Sequence, residues 1–99
     1  MSFAPEVIDH LGWIDRKHHR TLRRRVGEQL SYTPLKTTRN RKPLEPPAPF
    51  GATWELRLGP RNRFRVFYEV DPMNREVSVL AIGVKQGSRL RIGGEEFES

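Results

Sequence analysis

The chain has 99 residues, with 18 Lys and Arg against 12 Asp and Glu and a net charge of +6, which describes one basic domain with a modest core. Such a charge suits an anionic partner: nucleic acid, an anionic membrane or an acidic protein. With no cysteine there is no disulfide framework and no thiolate metal site; the apolar runs are too short to span a bilayer and the N-terminus lacks a signal-peptide core, so a cytoplasmic protein free of membrane, metal and cofactor is expected.

Met1 to Ala4 has room for only a very short strand or a frayed end. Pro5 suits the first turn of a helix, where its missing N–H costs nothing. Val7, Ile8, Leu11 and Ile14 follow at helical spacing, which predicts a first helix from Pro5 to Asp15. Gly12 weakens it by about 1 kcal/mol relative to alanine, so packing must hold it. A second helix is predicted from Arg16 or Lys17 to Tyr32. Leu22, Val26 and Leu30 recur every fourth residue as a narrow apolar stripe, and Arg20, Arg23 and Arg24 cover much of the remainder. Pro34 ends this helix, because the residue before a proline is pushed out of the helical region. His10, His18 and His19 lie in or beside the two helices with no carboxylates at zinc-site spacing, and are read as solvated.

Leu35 to Thr53 is a connector. Prolines at 43, 46, 47 and 49 exclude helix and any central strand. A connector of roughly 20 residues without regular structure is uncommon in a compact domain and is often functional. From Arg16 to Lys42 the chain carries ten basic residues and one acidic residue, Glu28. Two readings of this run stay open: a surface for nucleic-acid backbone or an acidic protein, and a solvated helix face.

Trp54 to Gly83 is the stretch that organises the rest. Trp54, Leu56 and Leu58 alternate with Glu55 and Arg57, and Phe64, Val66, Tyr68 and Val70 alternate with Arg65, Phe67 and Glu69. Glu76 to Val84 is apolar on both parities. Alternation marks half-buried strands, and the last run marks a strand covered on two faces. Short turn-forming clusters join the three into an antiparallel meander, and its apolar face is the place for the helices to bury. Arg89 to Ile92 alternates and is a candidate fourth strand. Gly93-Gly94 and the acidic end Glu95, Glu96, Glu98 follow. The fold class read from this pattern is α+β: a single domain over residues 1–99, with an N-terminal two-helix hairpin packed on a twisted antiparallel sheet of three to four strands and an N-terminal strand short or missing.

The order of elements and the meander residues resemble the RelE/ParE superfamily, the toxin halves of bacterial type II toxin–antitoxin pairs. The carrying residues are Trp54-Glu55-Leu56-Arg57-Leu58-Gly59, Phe64-Arg65-Val66-Phe67-Tyr68-Glu69-Val70-Asp71 and Val79-Leu80-Ala81-Ile82-Gly83 followed by Lys85. The resemblance spans almost the whole chain, by pattern only in its N-terminal half. It implies a RelE-like mRNA interferase: an endoribonuclease that cuts mRNA on the ribosome without a metal and is held by a cognate antitoxin. The alternatives within the superfamily are a ParE-like inhibitor of DNA gyrase that is not an enzyme, and an inactive member that only binds its antitoxin.

Metal-free cleavage needs a base for the 2′-OH, cations for the phosphorane and an acid for the leaving oxygen. Arginine suits the cationic role, since its planar fork binds phosphate oxygens bidentately. By position within the resemblance, Arg57, Arg65 and Lys85 are the candidate catalytic cations. Glu55 stands where active RelE members often carry a lysine, and is a candidate base or a counter-ion to Arg57 or Arg65. A plain salt bridge between Arg65 and Glu55 is the competing reading. Arg39, Arg41, Lys42, Arg61, Arg63, Arg89 and Arg91 are the candidate RNA-phosphate contacts. Tyr68, on the apolar parity, is assigned to the core.

Overall fold

In the computed structural model the chain runs β1 (Ser2–Phe3), α1 (Glu6–Leu11), α2 (His19–Leu30), β2 (Arg41–Pro43), β3 (Trp54–Leu58), β4 (Phe64–Asp71), β5 (Glu76–Gln86), β6 (Arg89–Ile92) and β7 (Glu95–Phe97). Residues 1–97 are described; Glu98 of the acidic end lies outside them. The strands form one sheet in the order β2-β3-β4-β5-β6-β7, antiparallel throughout, with β1 added in parallel to β5.

The α+β class and the antiparallel meander are as expected; the count of three to four strands is not. Among the described residues there are seven strands, because three short ones join the meander and β6. Among the described residues β1, β2 and β7 have at most three residues each, too few to display a period of two. Pro43 sits in β2, at the sheet edge where its missing N–H interrupts no ladder.

The two-helix hairpin is also corrected. α1 has six residues and stops at Gly12 instead of reaching Asp15. Asp15 then turns extended (φ −53°, ψ 132°), and its carboxylate accepts the Lys17 N–H at 3.0 Å. This cap opens a 3-10 turn, Arg16–His18, that leads into α2. The domain therefore has one full helix and one short one. α2 buries the expected stripe: Leu22, Val26 and Leu30 pack with Leu56, Val66 and Val79 of the sheet. Full burial of a leucine such as Leu30 contributes about 1.5–3 kcal/mol. Tyr68 is fully buried in the same core, and its hydroxyl donates to the Pro34 carbonyl at 2.7 Å; burial pushes its pKa up to about 12.

β5 is apolar on both parities for two reasons. A bulge opposite Phe67 and Tyr68 pairs these residues with Ala81 and Val79 and leaves Leu80 as the extra residue. Parity switches there, so Val77, Val79 and Ile82 all join the core under α2. The other face is covered too: Ala81 packs with Phe67, Leu90, Ile92 and Ala52, against Leu44 and Phe97. The proline-rich connector and the β6–β7 hairpin make this second cover.

The histidines are not solvated. His10 is buried, and its Nδ1 accepts the Ile82 N–H at 3.3 Å, in the stretch of β5 edge between β1 and β6. His18 and His19 are half-buried, and His19 Nε2 bonds the Ile14 carbonyl at 2.8 Å. A period-based reading cannot see these partners, which come from elements distant in sequence. No helix among the described residues is long and apolar enough to cross a membrane.

Candidate cationic site

The sheet face turned away from α2 carries the candidate catalytic residues. In β3 and β4, Arg57 lies directly opposite Arg65, and Glu55 opposite Phe67. Across β5, Arg65 faces Gly83 and Lys85 faces Leu90 of β6. Gly83 is needed for this spacing, since a Cβ there would sit 2.7 Å from Ile92 Cγ1 and 2.8 Å from the Arg91 carbonyl.

Arg65 is 8% exposed. Its Nε donates to the Asn62 carbonyl at 2.9 Å and its guanidinium reaches Glu55 Oε1 at 3.4 Å. Burial pulls its pKa below the ordinary value, opposed by Glu55 and reinforced by Arg57; the guanidinium nonetheless stays charged. Arg57 Nε donates to the same Glu55 oxygen at 2.9 Å. The salt-bridge reading and the cationic-site reading thus coexist: Glu55 is the shared counter-ion of both arginines.

Arg65 and Lys85 line a cleft of about 890 Å³ with Pro60, Arg61, Arg63, Gln86 and Gly87. Its walls are the β3–β4 connection and the β5–β6 turn, tied by the Lys85 N–H donating to the Arg63 carbonyl at 2.7 Å. Arg61 and Asn62 have left-handed backbones (φ 57° and 53°), conformations that non-glycine residues adopt uncommonly and often at ligand sites. This curl places Arg61 on the cleft and presents the Asn62 carbonyl to Arg65. Arg63 extends over the Phe64 ring, 4.9 Å from its centroid, and donates to His18 Nε2 at 2.8 Å. A guanidinium only donates, so His18 Nε2 is the acceptor of that bond. Among the described residues the cleft lining holds four cations and no carboxylate.

A smaller concavity of about 190 Å³ adjoins the cleft and shares Arg65 and Lys85 with it. Glu55, Arg57, Phe67 and Leu90 form its sheet side, and Lys42, Leu44, Glu45 and the segment Pro47 to Pro49 form its connector side. The side chains here that can exchange a proton are Lys42, Lys85, Glu45 and Glu55.

Arg57, Arg65, Lys85 and Glu55 therefore come together, joined by Arg61, Arg63 and Lys42. The other candidate phosphate contacts do not join them. Arg41 is buried and caps the C-terminal end of α2: its guanidinium donates to the carbonyls of Gln29 (2.8 Å) and Thr33, and to Thr38 Oγ1. Arg89 pairs with Glu96 at 3.6 Å. Arg91 lies beside Val84 and lines a groove with His10 and Trp13, on the helix side of the sheet. In both cases strand parity sends the side chain to the face opposite Lys85. Arg39 is exposed and lines neither concavity. Sequence reasoning missed the Arg63–His18 contact and the folding of the connector over Phe67; the available signal was the apolar Leu44 among the prolines.

No protein-family model matches this chain, and neither does any characterised protein or solved structure.

Proposed function

We propose that the protein is a RelE-like toxin, an endoribonuclease of the bacterial cytoplasm that inhibits translation by cutting mRNA on the ribosome and is neutralised by a cognate antitoxin. The cleft with four cations and, among the described residues, no carboxylate carries this reading. Attack of a 2′-OH on the adjacent phosphate gathers negative charge on a pentavalent phosphorane. Arg65, held on one side by Asn62 and Glu55, and Lys85 on the next strand offer preorganised donors to that charge. Removing one such contact costs about 3–4 kcal/mol of transition-state stabilisation. Lys85 and Glu55 move the protons on this reading. On this reading the sheet with α2 on one face is a RelE/ParE-like domain with a shortened first helix, and the exposed Arg16, Lys17, Arg20 and Arg23 suit an acidic antitoxin segment.

One observation favours a second reading. Glu55 neutralises Arg57 and Arg65 together, which suits a surface that binds a protein, DNA gyrase or the antitoxin alone, without cleaving RNA. Induced expression in bacteria separates the two. The nuclease reading expects growth arrest by the parent chain and none by Arg65→Ala at matched soluble levels. Equal arrest by both chains contradicts it.

A further inference from the structure

We propose that the 190 Å³ concavity under the proline-rich connector is a nucleobase subsite, so that one nucleotide is held with its phosphate in the cationic cleft and its base beneath Leu44 and Pro47. This rests on the RNA-binding reading of the same face. The two concavities share Arg65 and Lys85 in their linings, so a base in one and its phosphate in the other contact the same two side chains. Phe67 and Leu90 give the smaller one an apolar floor. Its volume suits one planar heterocycle and falls short of the roughly 300–1,000 Å³ of pockets that enclose larger organic ligands.

Glu55 closes the polar end and sets the chemistry of the occupant. Its side chain is 9% exposed. Oε1 takes the bonds from Arg57 and Arg65, while Oε2 accepts none among the described residues. Oε2 is not among the fully buried unpartnered atoms, so it stays open to an incoming donor. The lining carries Lys42, Arg57, Arg65 and Lys85 against Glu45 and Glu55, so a bare anion is drawn to the cations, whereas the floor of Phe67 and Leu90 suits a flat uncharged group. A nucleobase is uncharged, has a flat apolar face and presents an N–H on its edge. That N–H meets Oε2, and the adjoining guanidinium groups of Arg57 and Arg65 meet the neighbouring carbonyl or ring nitrogen.

The test is an NMR titration of the full chain with inorganic phosphate, ribose 5-phosphate and the four ribonucleoside 5′-monophosphates. Nucleotides should bind about tenfold more tightly than ribose 5-phosphate, the effect of one well-placed base, and should shift the amides of Phe67, Ala81 and Leu90. Ala48 lines the slot on extended backbone (φ −127°, ψ 156°) that accepts any side chain. Ala48→Phe should fill the slot, remove the nucleotide advantage and leave ribose 5-phosphate binding unchanged. Equal affinity for nucleotides and ribose 5-phosphate overturns the subsite while leaving the phosphate cleft in place. An advantage that survives Ala48→Phe overturns it as well. Absence of binding by every phosphate compound overturns both the subsite and the RNA reading.

Discussion

Arg57 and Arg65 face each other across neighbouring strands and share a single acceptor, Oε1 of Glu55, at 2.9 and 3.4 Å. Two like charges directly opposite in a sheet repel, so the carboxylate is what lets this pair stand on one face. The same carboxylate competes with any phosphate for the two guanidinium groups.

Glu55→Gln tests this balance. The amide keeps the shape and removes the charge, leaving two partly buried cations without a counter-ion. The free protein should lose about 1–3 kcal/mol of stability, read from urea unfolding. Inorganic phosphate should then stabilise the variant more than the parent chain, because only the folded variant offers the vacated anion position. A variant as stable as the parent and no more responsive to phosphate contradicts the shared-counter-ion role.

Arg41 is a structural residue on this account. Its guanidinium satisfies carbonyls at the end of α2, where a helix otherwise leaves acceptors unpaired and where positive charge is favoured. Arg41→Ala should cost roughly 2–3 kcal/mol. Its neighbour Lys42 is exposed on the rim of the smaller concavity, and Lys42→Ala should leave stability within about 0.5 kcal/mol of the parent. Thermal unfolding of both variants side by side reads the contrast; equal losses would refute the assignment.

His10 makes the fold sensitive to acid. Burial holds its pKa below the ordinary 6.5, with Asp9 and Glu6 opposing the effect in part. Its Nδ1 accepts the Ile82 N–H, which requires the neutral ring. As pH falls below 6.5, the unfolded chain takes up the proton first, so the stability tied to His10 is complete above that value and is lost below it. Urea midpoints measured from about pH 7.5 down to about pH 5 should fall for the parent chain and fall less for His10→Gln. Parallel slopes would remove His10 from the acid response.

Much of the sheet was legible because its central strands are long enough to display a period. Trp54–Leu58, Phe64–Asp71 and the run beginning at Glu76 alternate or stay apolar in a way that only strands explain. The stripe of Leu22, Val26 and Leu30 gave α2 for the same reason. What stayed hidden has no period to read: the three-residue β2, the bulge at Leu80 that switches parity, and a first helix cut short by Gly12 and the Asp15 cap. The site divided along the same line. Arg57, Arg65 and Lys85 share a face that alternation and register impose. Arg41, Arg89 and Arg91 are candidates by charge alone, and charge does not say which face a side chain takes.

The most direct measurement is primer extension on a reporter mRNA in a cell-free translation reaction, with the purified parent chain and its Arg65→Ala and Lys85→Ala variants. The nuclease reading predicts new cuts that need translating ribosomes and that weaken by about 100-fold or more in each variant, the scale of losing one preorganised charge contact. Intact mRNA in the presence of folded parent protein would contradict it and leave the cationic face as a binding surface alone.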